Sequence, residues 1–196
     1  MSPRFPPLPR LSLRLLALAL LCSGLGGCAP TSPSGAVENR LTREAAARGA
    51  LQQLYSTTPE AAVLGRTAAG ILVFPEITKG GFLIGGQYGT GVLFTGGQVV
   101  GYYRSAAASY GLQAGVQRFG YALFFMSHDA LEYLDRSGGW EVGVGPSVTV
   151  VDEGFARTLS TTTARKGVYA FFFNQRGLMA GMGIQGSRIR RTEPGP

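Results

Sequence analysis

Apolar residues recur along this chain in two rhythms. From Val37 to Tyr55 (VENRLTREAAARGALQQLY) they fall at helical spacing, with Leu41, Ala45, Leu51 and Tyr55 on one side and Arg48 interrupting the stripe. Ala, Leu, Glu, Arg and Gln fill the segment, and all favour a helix. A second, shorter helix is predicted over Pro59–Arg66. Thr58 stands at its N-cap and Pro59 in its first turn, where a missing amide hydrogen costs nothing. After Gly70 the rhythm changes to short apolar runs broken by glycine, the pattern of strands that bend.

The densest such stretch is Ile71–Phe94 (ILVFPEITKGGFLIGGQYGTGVLF). Pro75 is expected to end a first strand, because proline cannot donate to a ladder. Lys79-Gly80-Gly81 is expected to turn the chain into Phe82-Leu83-Ile84, giving a bent, tightly packed antiparallel hairpin. Gly96-Gly97 reads as a turn, and Gln98–Arg104, Ser109–Gln117 and Phe119–Met126 read as further strands. Ser127 is placed to cap a short helix through Leu134, which Ser137-Gly138-Gly139 ends before Trp140–Val151 returns to strand. Asp152–Thr163 reads as a polar loop or a loosely paired edge strand. Val168–Phe173, an Asn174–Gly177 turn and Leu178–Gln185 would close the sheet, leaving Arg188, Arg190 and Arg191 in a solvated tail. Seven to nine strands follow from this count, and gaps too short for crossover helices imply antiparallel neighbours. The fold class is α+β: N-terminal helices on a bent, Gly-rich antiparallel sheet that closes into a sandwich or partial barrel.

Composition changes this picture at the N-terminus. Arg4, Arg10 and Arg14 precede the apolar run Leu15–Leu21, which is far short of the ~20 residues that span a bilayer. Leu25-Gly26-Gly27-Cys28 follows and resembles a bacterial lipobox. Residues 1–27 therefore read as a lipoprotein signal peptide, cleaved before Cys28, whose thiol would carry diacylglycerol. Each buried CH₂ of such chains contributes roughly 0.8 kcal/mol to anchoring. Residue 29 is Ala rather than Asp, which in the usual sorting pattern favours the outer membrane, facing the periplasm. Residues 28–36 are the lipidated Cys and a Pro/Ser/Gly linker with no reason to fold, and residues 37–191 form the domain. Cys22 would leave with the leader, so Cys28 has no disulfide partner in the mature chain.

Removing the three leader arginines takes the formal charge from +7 to +4 (7 − 3), too mild for a dedicated nucleic-acid binder. Between Glu76 and Asp129 there is no acidic residue, while Lys79, Arg104 and Arg118 fall in the gap. A surface made there suits anionic partners such as lipid headgroups. It is equally a β-core with few charges.

Candidate chemistry is sparse. The one histidine, His128, is adjacent to Asp129 at a helix start, which is no triad, and no serine or cysteine sits in a nucleophile motif. Asp152-Glu153 is the only adjacent acidic pair, too little for a metal cluster. The glycines of Gly80–Gly91 open no helix and precede no Gly-Lys-Ser/Thr, so they are not a phosphate loop. No catalysis, cofactor or metal is expected.

Taken in order, these segments resemble a SYLF domain over roughly residues 40–190. The resemblance is carried by Gly70–Pro75, Lys79–Gly86, Gly111–Gln117, the Ala130-Leu131 helix, Gly145-Pro146 and the closing Gly177–Gly186. It implies lipid binding without catalysis. Eukaryotic relatives bind phosphoinositide membranes, partly through a basic helix at the domain start, and some bind actin; bacterial relatives are commonly exported lipoproteins. Arg40, Arg43 and Arg48 occupy the corresponding helix, and with Lys79 they are the candidate headgroup contacts. Anionic phospholipid or a lipid A-type phosphate is the expected ligand, since phosphoinositides are foreign to a bacterial envelope. The alternative is an envelope scaffold that binds another protein and no specific lipid. An unrecognised hydrolase using His128 is the third reading.

Overall fold

A computed structural model describes residues 33–136, 138–151, 167–177 and 186–192; within these, side chains are described except at 33–36, 82–83 and 109–114. The leader, Cys28, the Asp152–Thr163 segment and Leu178–Gln185 lie outside the described residues.

Two helices, α1 (Pro33–Thr57) and α2 (Pro59–Gly65), precede the sheet. α1 begins four residues earlier than the apolar spacing predicts (37 − 33), so part of the expected linker is helical. Thr58 holds the N-cap position of α2 without a side-chain capping bond. Among the described residues the sheet has six strands, β1 (Gly70–Thr95), β2 (Gln98–Phe125), β3 (Trp140–Glu141), β4 (Val148–Val151), β5 (Val168–Gly177) and β6 (Arg188–Thr192), in a half-barrel. A short helix α3 (His128–Leu131) and a 3₁₀ turn (Glu132–Asp135) join β2 to β3. Ser127 caps α3 as expected, accepting from the Ala130 amide.

The centre of the fold is one hairpin, β1 against β2, turning at Gly96-Gly97 with both glycines at positive φ. This corrects the expectation of a hairpin inside Ile71–Phe94. That stretch lies within a single strand of 26 residues, β1, whose partner throughout is β2. Pro75 does not end it. The register shifts between Phe74 and Ile77, and an irregularity there lets the ladder pass a residue with no amide hydrogen. Lys79-Gly80-Gly81 makes no chain reversal, but the strand bends at the glycines beside it. A Cβ on Gly81 would sit 2.3 Å from the Gly85 Cα. Beyond that bend β1 packs on itself, Gly89 against Glu76 and Ile77, Gly91 against Phe74.

Further corrections concern the second half. Asn174–Gly177 is not a turn but the end of β5, with Asn174 at φ 54°. Its amide exchanges two hydrogen bonds with Gln53 of α1, each 2.9 Å. Only Trp140–Glu141 and Val148–Val151 of the expected Trp140–Val151 strand are extended. β4 pairs with β5 in parallel, so the sheet is mixed rather than antiparallel. Arg188, Arg190 and Arg191 are not a tail. They form β6, which enters the sheet between β2 and β3 because alternate Ile189 is fully buried.

Both faces of the sheet are covered, and alternation sorts the side chains. Ile71, Val73, Ala122, Phe124, Phe171 and Phe173 face one way, clustered with Ala47, Ala50 and Leu54 of α1 and Leu64 of α2. Leu72, Phe74, Leu123, Phe125, Ala170 and Ile189 face the other, with Ala130, Leu134 and Trp140. Trp140 meets Phe125 edge-on at 5.6 Å and donates to the Val144 carbonyl at 2.9 Å.

Candidate anion-binding surface

α1 is pinned to the hairpin at two points. The Tyr102 hydroxyl donates to the Glu44 carboxylate, and burial followed by that bond pushes the phenol up to about 12. Arg48 donates to the Gly97 carbonyl at 3.1 Å, its guanidinium 5.1 Å from the centre of the Phe94 ring. This fixes where the other helix arginines stand. Arg40 lines an open hollow of about 490 Å³ with Glu44, Val99–Tyr102, Arg191 and Thr192. Arg43 lines a smaller one of about 150 Å³ beside Pro75, Glu76, Thr90 and Tyr103. Lys79 stands on β1 opposite Gln117, and so on another element than the helix arginines. The four residues singled out in the sequence thus divide among a helix–turn contact, two hollows and the strand next to the bend.

A third hollow, of about 290 Å³, brings Arg104, from the acid-free stretch that suits anionic partners, together with residues the sequence reading missed or placed in a tail: Tyr88, Ala106, Arg188 and Arg190. The ladder explains it. Thr90, Arg104 and Arg190 lie side by side across β1, β2 and β6, and Tyr88, Ala106 and Arg188 form the next row. Neighbouring Tyr103, Ser105 and Ile189 point into the core, so this row pair points out. Three cations on one small face are only partly matched. Arg188 pairs with Glu141 at 2.9 Å, and Arg190 spends its Nε on the Gly138 carbonyl at 3.0 Å. Arg191, on the other face of β6, bonds Asp135 at 2.8 Å and the Val100 carbonyl at 2.7 Å. The signals in the sequence were Arg104 in a stretch without acidic residues and the Arg-x-Arg alternation at 188–190, and the two join only once β6 is known to pair with β2.

Catalytic groups do not assemble. His128 is exposed at the first residue of α3. Among the described residues no group of three or more His, Cys, Asp or Glu side chains could hold a metal ion, and no helix is long and apolar enough to cross a membrane. Three buried polar atoms, Ser105 Oγ, Gln117 Oε1 and Tyr121 OH, have no hydrogen-bond partner among the described residues.

Residues 106–194 match the Ysc84 family, described as Las17-binding protein actin regulator. This match over part of the chain agrees with the resemblance to a SYLF domain. The match runs from within β2 through α3 to β6, and so takes in Ala106, Arg188 and Arg190 of the arginine face but begins after Arg104. The family is associated with lipid binding and actin regulation. No curated protein matches the chain in sequence.

Proposed function

We propose that the chain is a non-catalytic lipid-binding module of the bacterial cell envelope, held to the membrane by acylated Cys28. In this reading residues 1–27 are a cleaved leader, and the domain meets anionic phospholipid headgroups from the periplasmic side of the outer membrane. One observation carries it. The Tyr102–Glu44 and Arg48–Gly97 bonds hold α1 so that Arg40 and Arg43 stand at the rims of open hollows, where desolvation costs little and a phosphate can reach them. Arg40 and Arg43 are the first contacts on the helix, while Arg48 and Lys79 contribute field.

The test is co-sedimentation of residues 29–196, without Cys28 so that no acyl chain contributes, with vesicles. Binding to phosphatidylglycerol-containing vesicles should exceed binding to pure phosphatidylcholine and weaken as salt rises toward a Debye length of ~8 Å. Equal binding to both, or none, would falsify the headgroup reading and leave Cys28 as the sole membrane contact.

A further inference from the structure

Arg104 and Arg190 are direct cross-strand partners on the solvent side of the β2–β6 ladder. Residues so placed have Cβ atoms about 4.5–5.5 Å apart, and like charges there repel. Neither guanidinium has an ion pair with a carboxylate among the described residues; Arg190 has one backbone carbonyl, and the nearest cation on the face, Arg188, has its own in Glu141. A sheet that sets two arginines opposite each other keeps a destabilising pair unless an anion joins them. Two guanidiniums at this spacing offer a fork to a tetrahedral dianion, whose oxygens accept charge-assisted bonds from both. The hollow between them and Tyr88, about 290 Å³, has room for such a group.

What lies beside the pair says where the anion comes from. On β1, Tyr88 and Ile84 alternate onto one face, toward the bend, and both are far more exposed than apolar side chains of a packed sheet, 56% and 66%. A cationic pair flanked by an exposed aromatic and an exposed branched aliphatic fits a membrane surface, where the apolar pair enters the acyl boundary and the arginines meet phosphate. A freely diffusing phosphate would make no use of Ile84.

We infer that Arg104 and Arg190, with Arg188 at their side, form a phosphate clamp for a membrane phosphomonoester headgroup, and that Ile84 and Tyr88 insert beside it. This rests on the lipid-binding reading and names the site that performs it, on the sheet rather than on α1.

The experiment uses the full chain carrying Cys28→Ser, so that the leader contributes equally to every variant, with phosphatidylcholine vesicles with and without phosphatidic acid. The quantity read is the gain in affinity that phosphatidic acid brings. Arg104→Gln and Arg190→Gln should each cut that gain about tenfold, the loss of one charge-assisted bond pair, and Arg43→Gln should cut it less. Ile84→Ser should weaken vesicle binding while leaving untouched the rise in melting temperature that inorganic phosphate gives the wild type. Arg104→Gln should abolish that rise, yet melt no lower than the wild type in phosphate-free, low-salt buffer, because it relieves a like-charge pair. A wild-type chain indifferent to phosphatidic acid would remove the clamp, and would remove the lipid-binding reading with it only if phosphatidylglycerol vesicles were not bound either. A wild-type gain that survives both Arg→Gln changes would remove the clamp alone. Inorganic phosphate competing as well as the lipid, with Ile84→Ser neutral, would overturn the membrane assignment.

Discussion

A Cβ on Gly89 would lie 2.3 Å from Ile77 Cδ1 and 2.6 Å from the Glu76 carbonyl oxygen. The isoleucine methyl could swing aside; the carbonyl is main chain and moves only if the strand itself shifts. Gly89→Ala must therefore part the two halves of β1 where they touch, an overpacking cost of about 2–3 kcal/mol. Gly49, on α1, is the opposite case, with nothing within 4 Å of its would-be Cβ. There alanine only removes the backbone freedom that glycine brings to a helix, and Gly49→Ala should stabilise by about 0.5–1 kcal/mol. Urea unfolding of the two variants separates them by sign. A neutral Gly89→Ala would mean that the strand does not fold back on itself.

At the scale of elements, α1 is a lever held against the hairpin turn by Arg48, and the lever can be released without touching the surface arginines. Arg48→Ala loses the bond to the Gly97 carbonyl and the contact over Phe94, and should lower stability by about 1 kcal/mol. Vesicle binding by the folded variant should change less than with Arg40→Gln or Arg43→Gln. A larger binding loss than theirs would make Arg48 a headgroup contact in its own right. The same helix was legible in the sequence because its spacing and propensity are local. So were α2, the Ser127 cap and the Gly96-Gly97 turn. The strands were not, since their lengths and partners are decided by what lies across from them. Pro75 stays in β1 because an irregular step in the register absorbs it, and Gly81 bends the strand without reversing it. Arg188–Thr192 has the charge of a tail, and only Ile189, buried against the core, betrays a strand. The arginine face follows from that pairing, so a reading confined to local pattern found the helix arginines and the cationic gap that holds Arg104, but left Arg190 in a tail.

For the molecule as a whole, tyrosines on both faces of the sheet make its stability sensitive to alkali. Burial, then the nearby Asp135 carboxylate, pushes Tyr103 up to about 12; burial, then the hydrogen bond to Glu44, does the same for Tyr102 beside α1. Tyr121 is shifted further in the same direction by burial. In the unfolded chain all three phenols release their protons near 10. The folded state holds protons the unfolded state has lost, so stability is fully present below about pH 10 and falls as pH rises from there through the folded values. Because the two core clusters share the strands of one sheet, the loss should be a single transition rather than a separate detachment of α1. The check is the urea midpoint followed from about pH 8 to about pH 12. Tyr121→Phe should flatten the alkaline fall and leave stability at pH 8 nearly unchanged, since its hydroxyl has no hydrogen-bond partner among the described residues to lose. A midpoint flat across this range in the wild type would mean that these hydroxyls reach water in the folded protein, and with it that the sheet is less tightly covered than its packing indicates.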